Sequence, residues 1–259
     1  MRKILLTTVG VTALAVSANA TDFTLSGSSL LNIDDQGDTA VANTINVGVS
    51  KTFDNGMVLS LSQNMNAASG EFTITTDAVS VTFGDYDQNE KNPGLGGNAA
   101  SADISGDGVS NAADNVGAVS LGATVAGMGI GAAMNAAGDT MFGGSFATDM
   151  GGMAVTIGGD VHSDNTSSDD QTALGVSATM GDLVVVANSV QNEAAAGVDI
   201  TTYSATYTAG GLVIGFQGSD ANTSAYSATY TIVPGMQFEL GSEDNGTTTT
   251  SSAQLQMTF

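Results

Sequence analysis

Residues 253–259 read Ala253-Gln254-Leu255-Gln256-Met257-Thr258-Phe259. Apolar and polar side chains alternate without a break. One face carries Ala253, Leu255, Met257 and Phe259, the other Gln254, Gln256 and Thr258. Successive residues of an extended chain point to opposite faces, so a period of two marks a β-strand with one apolar face. The pattern recurs upstream. Met57, Leu59 and Leu61 alternate with Val58, Ser60 and Ser62; Val79, Val81 and Phe83 with Ser80, Thr82 and Gly84; Met153, Val155 and Ile157 with Ala154, Thr156 and Gly158. Helix signals are scarce. The 34 glycines and the abundant Ser, Thr and Val favour strands and turns.

Sixteen such segments are predicted, at roughly 22–33, 40–53, 57–65, 71–76, 78–85, 117–125, 128–135, 140–148, 152–162, 171–180, 182–190, 199–208, 211–217, 223–233, 236–242 and 251–259. If 71–85 is a single strand the count falls to 14. The connections alternate in length. One set is tight, as in Asp54-Asn55-Gly56, Ala126-Gly127, Ala209-Gly210 and Pro234-Gly235, the dipeptides of hairpin turns. The other set is longer and polar, with one outlier of about thirty residues at 86–116. Strict alternation predicts an up-and-down meander with one end trimmed and the other decorated.

Charge narrows the function. The chain has four Lys+Arg, 26 Asp+Glu, one His and no Cys. Residues 1–20 have the form of a cleaved signal peptide: Arg2 and Lys3, an apolar run over 4–16, then Ala18-Asn19-Ala20. That run is too short for a comfortable membrane span. The remainder, 21–259, keeps Lys51 and Lys91 as its only cations and has no Arg. Nucleic-acid binding is excluded for want of a basic patch. Disulfide and thiolate-metal scaffolds are excluded by the absence of Cys. No enzyme is expected, because a single histidine, His162 at the mouth end of a strand, makes neither a zinc site nor a triad. No cofactor is required by this inventory.

The acids are not spread evenly. Asp54, Asp77, Asp149 and Asp182 fall in tight turns, and Asp22, Glu71, Asp160 and Glu239 in strands; the other 18 fall in the longer loops. Nearly neutral strands joined by acidic loops on one side suit a bilayer, where charge is costly on the lipid face. The polar faces are small and neutral, and no Trp is present to fill a sandwich core. A barrel with its apolar face outwards and its polar face on a water-filled lumen is therefore expected. Lys51 shares the parity of Val47 and Val49 and should face outwards, either reaching to the lipid interface or solvated at the edge. The repeat Tyr203-Ser204-Ala205-Thr206-Tyr207-Thr208 and Tyr226-Ser227-Ala228-Thr229-Tyr230-Thr231 puts two tyrosines on one face in each copy. They are read as lipid-facing.

These features together resemble the Gram-negative general diffusion porins, especially the alphaproteobacterial branch. The likeness rests on the C-terminal strand ending in Phe259, on Val79-Ser80-Val81-Thr82-Phe83-Gly84-Asp85 leading into the one very long loop, and on the hairpins after Val116. It implies a 16-stranded antiparallel transmembrane β-barrel over 21–259 in the outer membrane. It implies that the loop at 86–116 folds inwards and narrows the pore, and that Leu255, Met257 and Phe259 form the signal read by the barrel assembly machinery. A homotrimer among outer-membrane lipid and lipopolysaccharide is also carried by the resemblance. In these porins a basic cluster faces the acidic loop. Here no Arg exists to build one.

The resulting expectation is passive diffusion of ions and small hydrophilic solutes. Asp85, Asp87, Glu90, Asp103, Asp107 and Asp114, with Lys91 as their only cation, form the expected constriction, and carboxylates in a narrow passage favour cations. Asp103 and Asp107, four apart and followed by Gly108, are candidate Ca2+ ligands; the segment lacks the third-position acid and distal Glu of an EF-hand. Divalent ions bridging the outer acidic loops to lipopolysaccharide are a second use of Ca2+. Two other readings stand beside the pore. One is a secreted, acidic, Ca2+-stabilised surface or adhesin protein, though no repeat of 9 to 20 residues runs through the chain. The other is a structural or substrate-specific outer-membrane barrel.

Overall fold

Each alternating segment is a strand in the computed structural model, which describes residues 22–34, 39–65, 70–84, 118–163, 165, 170–192 and 199–258. In chain order these are β1 (Asp22–Asp34), β2 (Thr39–Thr52), β3 (Val58–Asn64), β4 (Gly70–Thr75), β5 (Val79–Gly84), β6 (Ala118–Val125), β7 (Met128–Met134) and β8 (Thr140–Asp149). They continue as β9 (Ala154–Ser163), β10 (Gln171–Met180), β11 (Leu183–Asn192), β12 (Ile200–Ala209), β13 (Leu212–Ser219), β14 (Ser224–Val233), β15 (Met236–Asp244) and β16 (Thr249–Thr258). Among the described residues there is no helix.

Every strand pairs antiparallel with its sequence neighbours, and β16 returns to β1, with Leu255 opposite Leu31 and Gln254 opposite Asn32. The sheet is a closed barrel. Closure leaves no edge with unpaired backbone groups, the condition a lipid bilayer imposes on any β-structure. The choice between 14 and 16 strands is settled by residues 76–78. They form a tight turn in which Thr76 N donates to Val79 O at 2.8 Å, and β4 and β5 pair as a hairpin, Ile74 opposite Val81.

Turn chemistry follows the sequence. Ala126 and Gly127 both have positive φ, 51° and 81°, as the two-residue hairpin matched to strand twist requires. Pro234 is followed by Gly235 at φ 82°, the second position of a turn that only glycine fills without strain.

At the other end the strands run further than the sequence predicts. The β15–β16 ladder extends to Asp244 opposite Thr249, and β10 meets β11 up to Gln171 opposite Asn192. Asp34, Glu243 and Asp244, read as loop acids, lie at strand ends here, while at the tight-turn end Asp149, read as a turn acid, ends β8. The connections at 220–223 and 245–248 are correspondingly short. The physical reason is that main-chain pairing continues past the point where an apolar face is needed, so alternation of side chains stops before the ladder does.

The faces are inverted relative to a soluble sheet. Leu25, Val119, Phe142, Ile157, Leu174 and Leu240 all point outwards and are exposed, while their neighbours Ser120, Met141, Asp160 and Ala173 point inwards and are buried. Of the aromatic side chains in the described residues, Phe72, Phe83, Phe142, Tyr203, Phe216 and Tyr226 lie within three residues of the long-loop ends of their strands. Phe23, Phe53, Phe146, Tyr207, Tyr230 and Phe238 lie within three residues of the tight-turn ends. These are two aromatic belts, as expected where a barrel meets the two lipid–water interfaces. The repeated tyrosines are outward and exposed. Tyr203 and Tyr226 flank Phe216, with ring centroids 5.9 and 5.0 Å away. Lys51 is exposed, and its Nζ stands 5.3 Å from the Phe53 ring centroid at the tight-turn belt. A desolvated cation over a ring gains electrostatically there.

Candidate pore

Strand parity assigns the lumen. On β4, Phe72 and Ile74 face outwards, so Glu71 faces inwards between Ser62 of β3 and Gly84 of β5. On β9, Ile157 and Val161 face outwards, so Asp160 and His162 face inwards. On β15, Phe238 and Leu240 face outwards, so Glu239 faces inwards between Thr229 and Gln254. Around the closed order, β4, β9 and β15 are separated by five, six and five strands. No third of the wall lacks a carboxylate. Lys51 is the only Lys or Arg among the described residues, and it faces outwards. The described wall is therefore negative on all sides, with no positive side to set against it.

The two halves of the lumen differ. Inward side chains are buried from β5 round to β14: Thr82, Ser120, Ala133, Met141, Asp160, His162, Ala173, Asn188, Gln217 and Ser227 among them. No described residue of β15, β16 or β1 to β4 is buried. Glu71 and Glu239 are half-buried; Asp160 and His162 are buried. A bare wall facing a water-filled lumen would leave its inward side chains wetted, as those of β15 to β4 are.

Packing at this wall depends on small residues. A Cβ placed on Gly143 would fall 2.8 Å from Cγ of Asp160, so the carboxylate lies across β8 in the space a side chain would fill. At the long-loop end, Asp139 is structural. Its Oδ2 accepts from Nδ2 of Asn135 at 2.6 Å and its Oδ1 from the Asn165 backbone at 2.8 Å, tying the β7–β8 connection to the β9–β10 connection. Asp220 Oδ1 likewise accepts from Thr201 N at 3.0 Å. These two loop acids hold backbone rather than simply solvating a loop.

The sequence-predicted constriction residues Asp85, Asp87, Glu90, Lys91, Asp103, Asp107 and Asp114 lie outside the described residues. So do the candidate signal peptide and Phe259. Leu255 and Met257 are outward-facing on β16, opposite Leu31 and Ser29. From the sequence Glu71, Asp160 and Glu239 are strand acids with no face assigned to them. Their parity against Phe72, Val161 and Phe238 was the signal that finds them.

No protein-family model matches the chain, and no curated protein sequence matches it. Solved structures do. A variant of the porin of Rhodopseudomonas blastica superposes with a TM-score of 0.63 at 15% identity, covering 92% of this chain and 100% of that chain. A triple mutant of the same porin gives 0.65 at 14% identity over the same shares. The chain has the porin fold. An engineered chain described for asymmetric conductivity matches equally, with a TM-score of 0.64 at 14% identity. At these identities it is the architecture that is shared, and the porin fold here carries its own wall of residues.

Proposed function

We propose that the protein is an outer-membrane porin through which ions and small hydrophilic solutes diffuse passively, with a preference for cations. The observation that carries this reading is the wall: a closed porin-fold barrel with the wetted carboxylates Glu71 and Glu239 on its inner face and its one described cation on the outer face. Carboxylates lining a narrow aqueous passage concentrate cations and repel anions. Neither chemistry nor energy coupling is part of the proposal.

The segment 86–116 is proposed to enter the barrel and narrow it, with Asp85, Asp87, Glu90, Asp103, Asp107, Asp114 and Lys91 bordering the passage. Inward side chains of β5 to β14 are buried, whereas those of β15 to β4 are wetted. Solutes then pass along β15, β16 and β1 to β4, and Glu71 and Glu239 are the wall carboxylates they meet. Export through residues 1–20, assembly through Leu255, Met257 and Phe259, a homotrimer, and Ca2+ at Asp103 and Asp107 or between the outer loops and lipopolysaccharide complete the proposal. Loss of thermal stability on chelation supports the Ca2+ part, and no change removes it. The pore itself is tested by swelling of vesicles loaded with an impermeant polymer. Uncharged sugars of small size are expected to enter at rates falling steeply with solute size. Vesicles that admit none would mark a structural barrel rather than a diffusion pore.

A further inference from the structure

The four largest fully buried side chains of the described protein are Met141, His162, Asp160 and Ser120. Three of them adjoin one another on the inner wall. Met141 of β8 is directly opposite His162 of β9, and Asp160 stands two residues before His162 on the same face. Residues directly opposite in an antiparallel pair bring their Cβ atoms to about 4.5–5.5 Å, within reach of one shared ion. Met141 and His162 are 2% exposed and Asp160 is 1% exposed. Both imidazole nitrogens of His162 are buried without a hydrogen-bond partner. A buried ring with two unsatisfied nitrogens is costly, and a bound ion or an ordered water would supply the missing partner.

The ligand types identify the ion. Among the described residues no group of three His, Asp or Glu side chains converges, so a hard or borderline divalent site is not built here. A thioether facing an imidazole is a soft pair, and soft ligands select Cu(I) over Zn2+, Mg2+ and Ca2+. We propose that Met141, His162 and Asp160 form a site for a monovalent ion of the Cu(I) class. One His162 nitrogen and the Met141 sulfur bind it, and the Asp160 carboxylate supplies the balancing charge. The site stands apart from the solute path along β15 to β4, and it does not depend on the protein being a general diffusion pore.

His162 is the only histidine of the chain, which makes the test direct. Tag-free protein carrying 15N-histidine and 13C-methyl methionine is folded in detergent micelles and titrated with Ag+, a redox-inert stand-in for Cu(I). One equivalent is expected to shift one imidazole nitrogen and, in step, one methionine methyl signal, while equimolar Zn2+ moves neither. Met141→Leu keeps volume and removes the sulfur. It is expected to weaken Ag+ binding by roughly tenfold or more with the barrel intact. Imidazole signals unmoved by Ag+, or moved as readily by Zn2+, would overturn the site. So would a folded Met141→Leu protein that binds Ag+ as tightly as the parent. The two-signal readout on the unaltered chain decides the matter even if the variant fails to fold.

Discussion

Arginine placed along the outward face of β15 should report the lipid bilayer by depth. Leu240 is at the centre of Met236–Asp244 and is 50% exposed on the outer surface. Four residues separate it from Met236, about 13 Å along a strand and about 10 Å along the membrane normal at a tilt near 40°. With an apolar band about 25 Å tall, Leu240 sits near the midplane and Met236 near one interface. Leu240→Arg is therefore expected to cost about 2–4 kcal/mol, Met236→Arg about 0–1 kcal/mol, and Ser242→Arg, only about 5 Å from the midplane, an intermediate amount. In the folding equilibrium the first is a loss of roughly thirtyfold to several hundredfold. Gln254→Arg, inward on β16 and opposite Glu239, serves as the lumen control and should cost under about 1 kcal/mol. The assay is urea-dependent folding into phospholipid vesicles, read by gel mobility and circular dichroism because the chain has no Trp. A flat profile along Met236, Leu240 and Ser242 would refute the lipid-facing assignment, since the inner face of a soluble sandwich has no midplane.

Three further outcomes are expected. Ala126 holds φ 51°, a conformation costing an L-residue about 1–2 kcal/mol, so Ala126→Gly should raise stability by about 0.5–1 kcal/mol in the same urea assay; a loss would contradict the turn. The Tyr203 ring lies over Gly218, where an added Cβ would fall 2.8 Å from its Cε2 and Cζ, so Gly218→Val should displace the ring and cost about 1–2 kcal/mol. An unchanged unfolding midpoint would show that this packing contributes nothing. Glu71→Gln and Glu239→Gln should each reduce the preference for K+ over Cl− in planar bilayers, whereas Asp160→Asn, on the buried half, should leave it near the parent value; the reverse ranking would place the solute path along β9 instead.

Strand number, order of connections and the outward face were legible because a barrel in lipid must satisfy every backbone group and hide every charge, which leaves a period of two in the sequence. Phe259 and its alternating predecessors illustrate this, as do the paired tyrosines at 203, 207, 226 and 230. Strand ends were less legible. Glu243 and Asp244 look like a loop, yet they pair with Thr250 and Thr249 because hydrogen-bonded pairing needs no apolar side chain. The lumen side was legible only in part. Parity assigns Glu71 and Glu239 to the inner face, but nothing in the spacing reveals that one half of the wall is buried and the other wetted. That difference depends on what lies across the barrel, which local alternation does not encode. His162 shows the limit most clearly. It stands one residue from the end of β9, where a sequence suggests a loop-edge residue, and the closed sheet instead sets it against Met141 and Asp160 in the interior.

The most direct measurement is the zero-current potential of single channels in planar bilayers separated by a tenfold KCl gradient. A passage lined by Glu71 and Glu239, with no inward cation among the described residues, should give a potential of the sign set by K+ permeation, moving toward about 59 mV, the limit for a tenfold gradient of one permeant monovalent ion. A potential of the opposite sign, or none in a channel of clear conductance, would contradict a lumen whose described charge is that of Glu71 and Glu239.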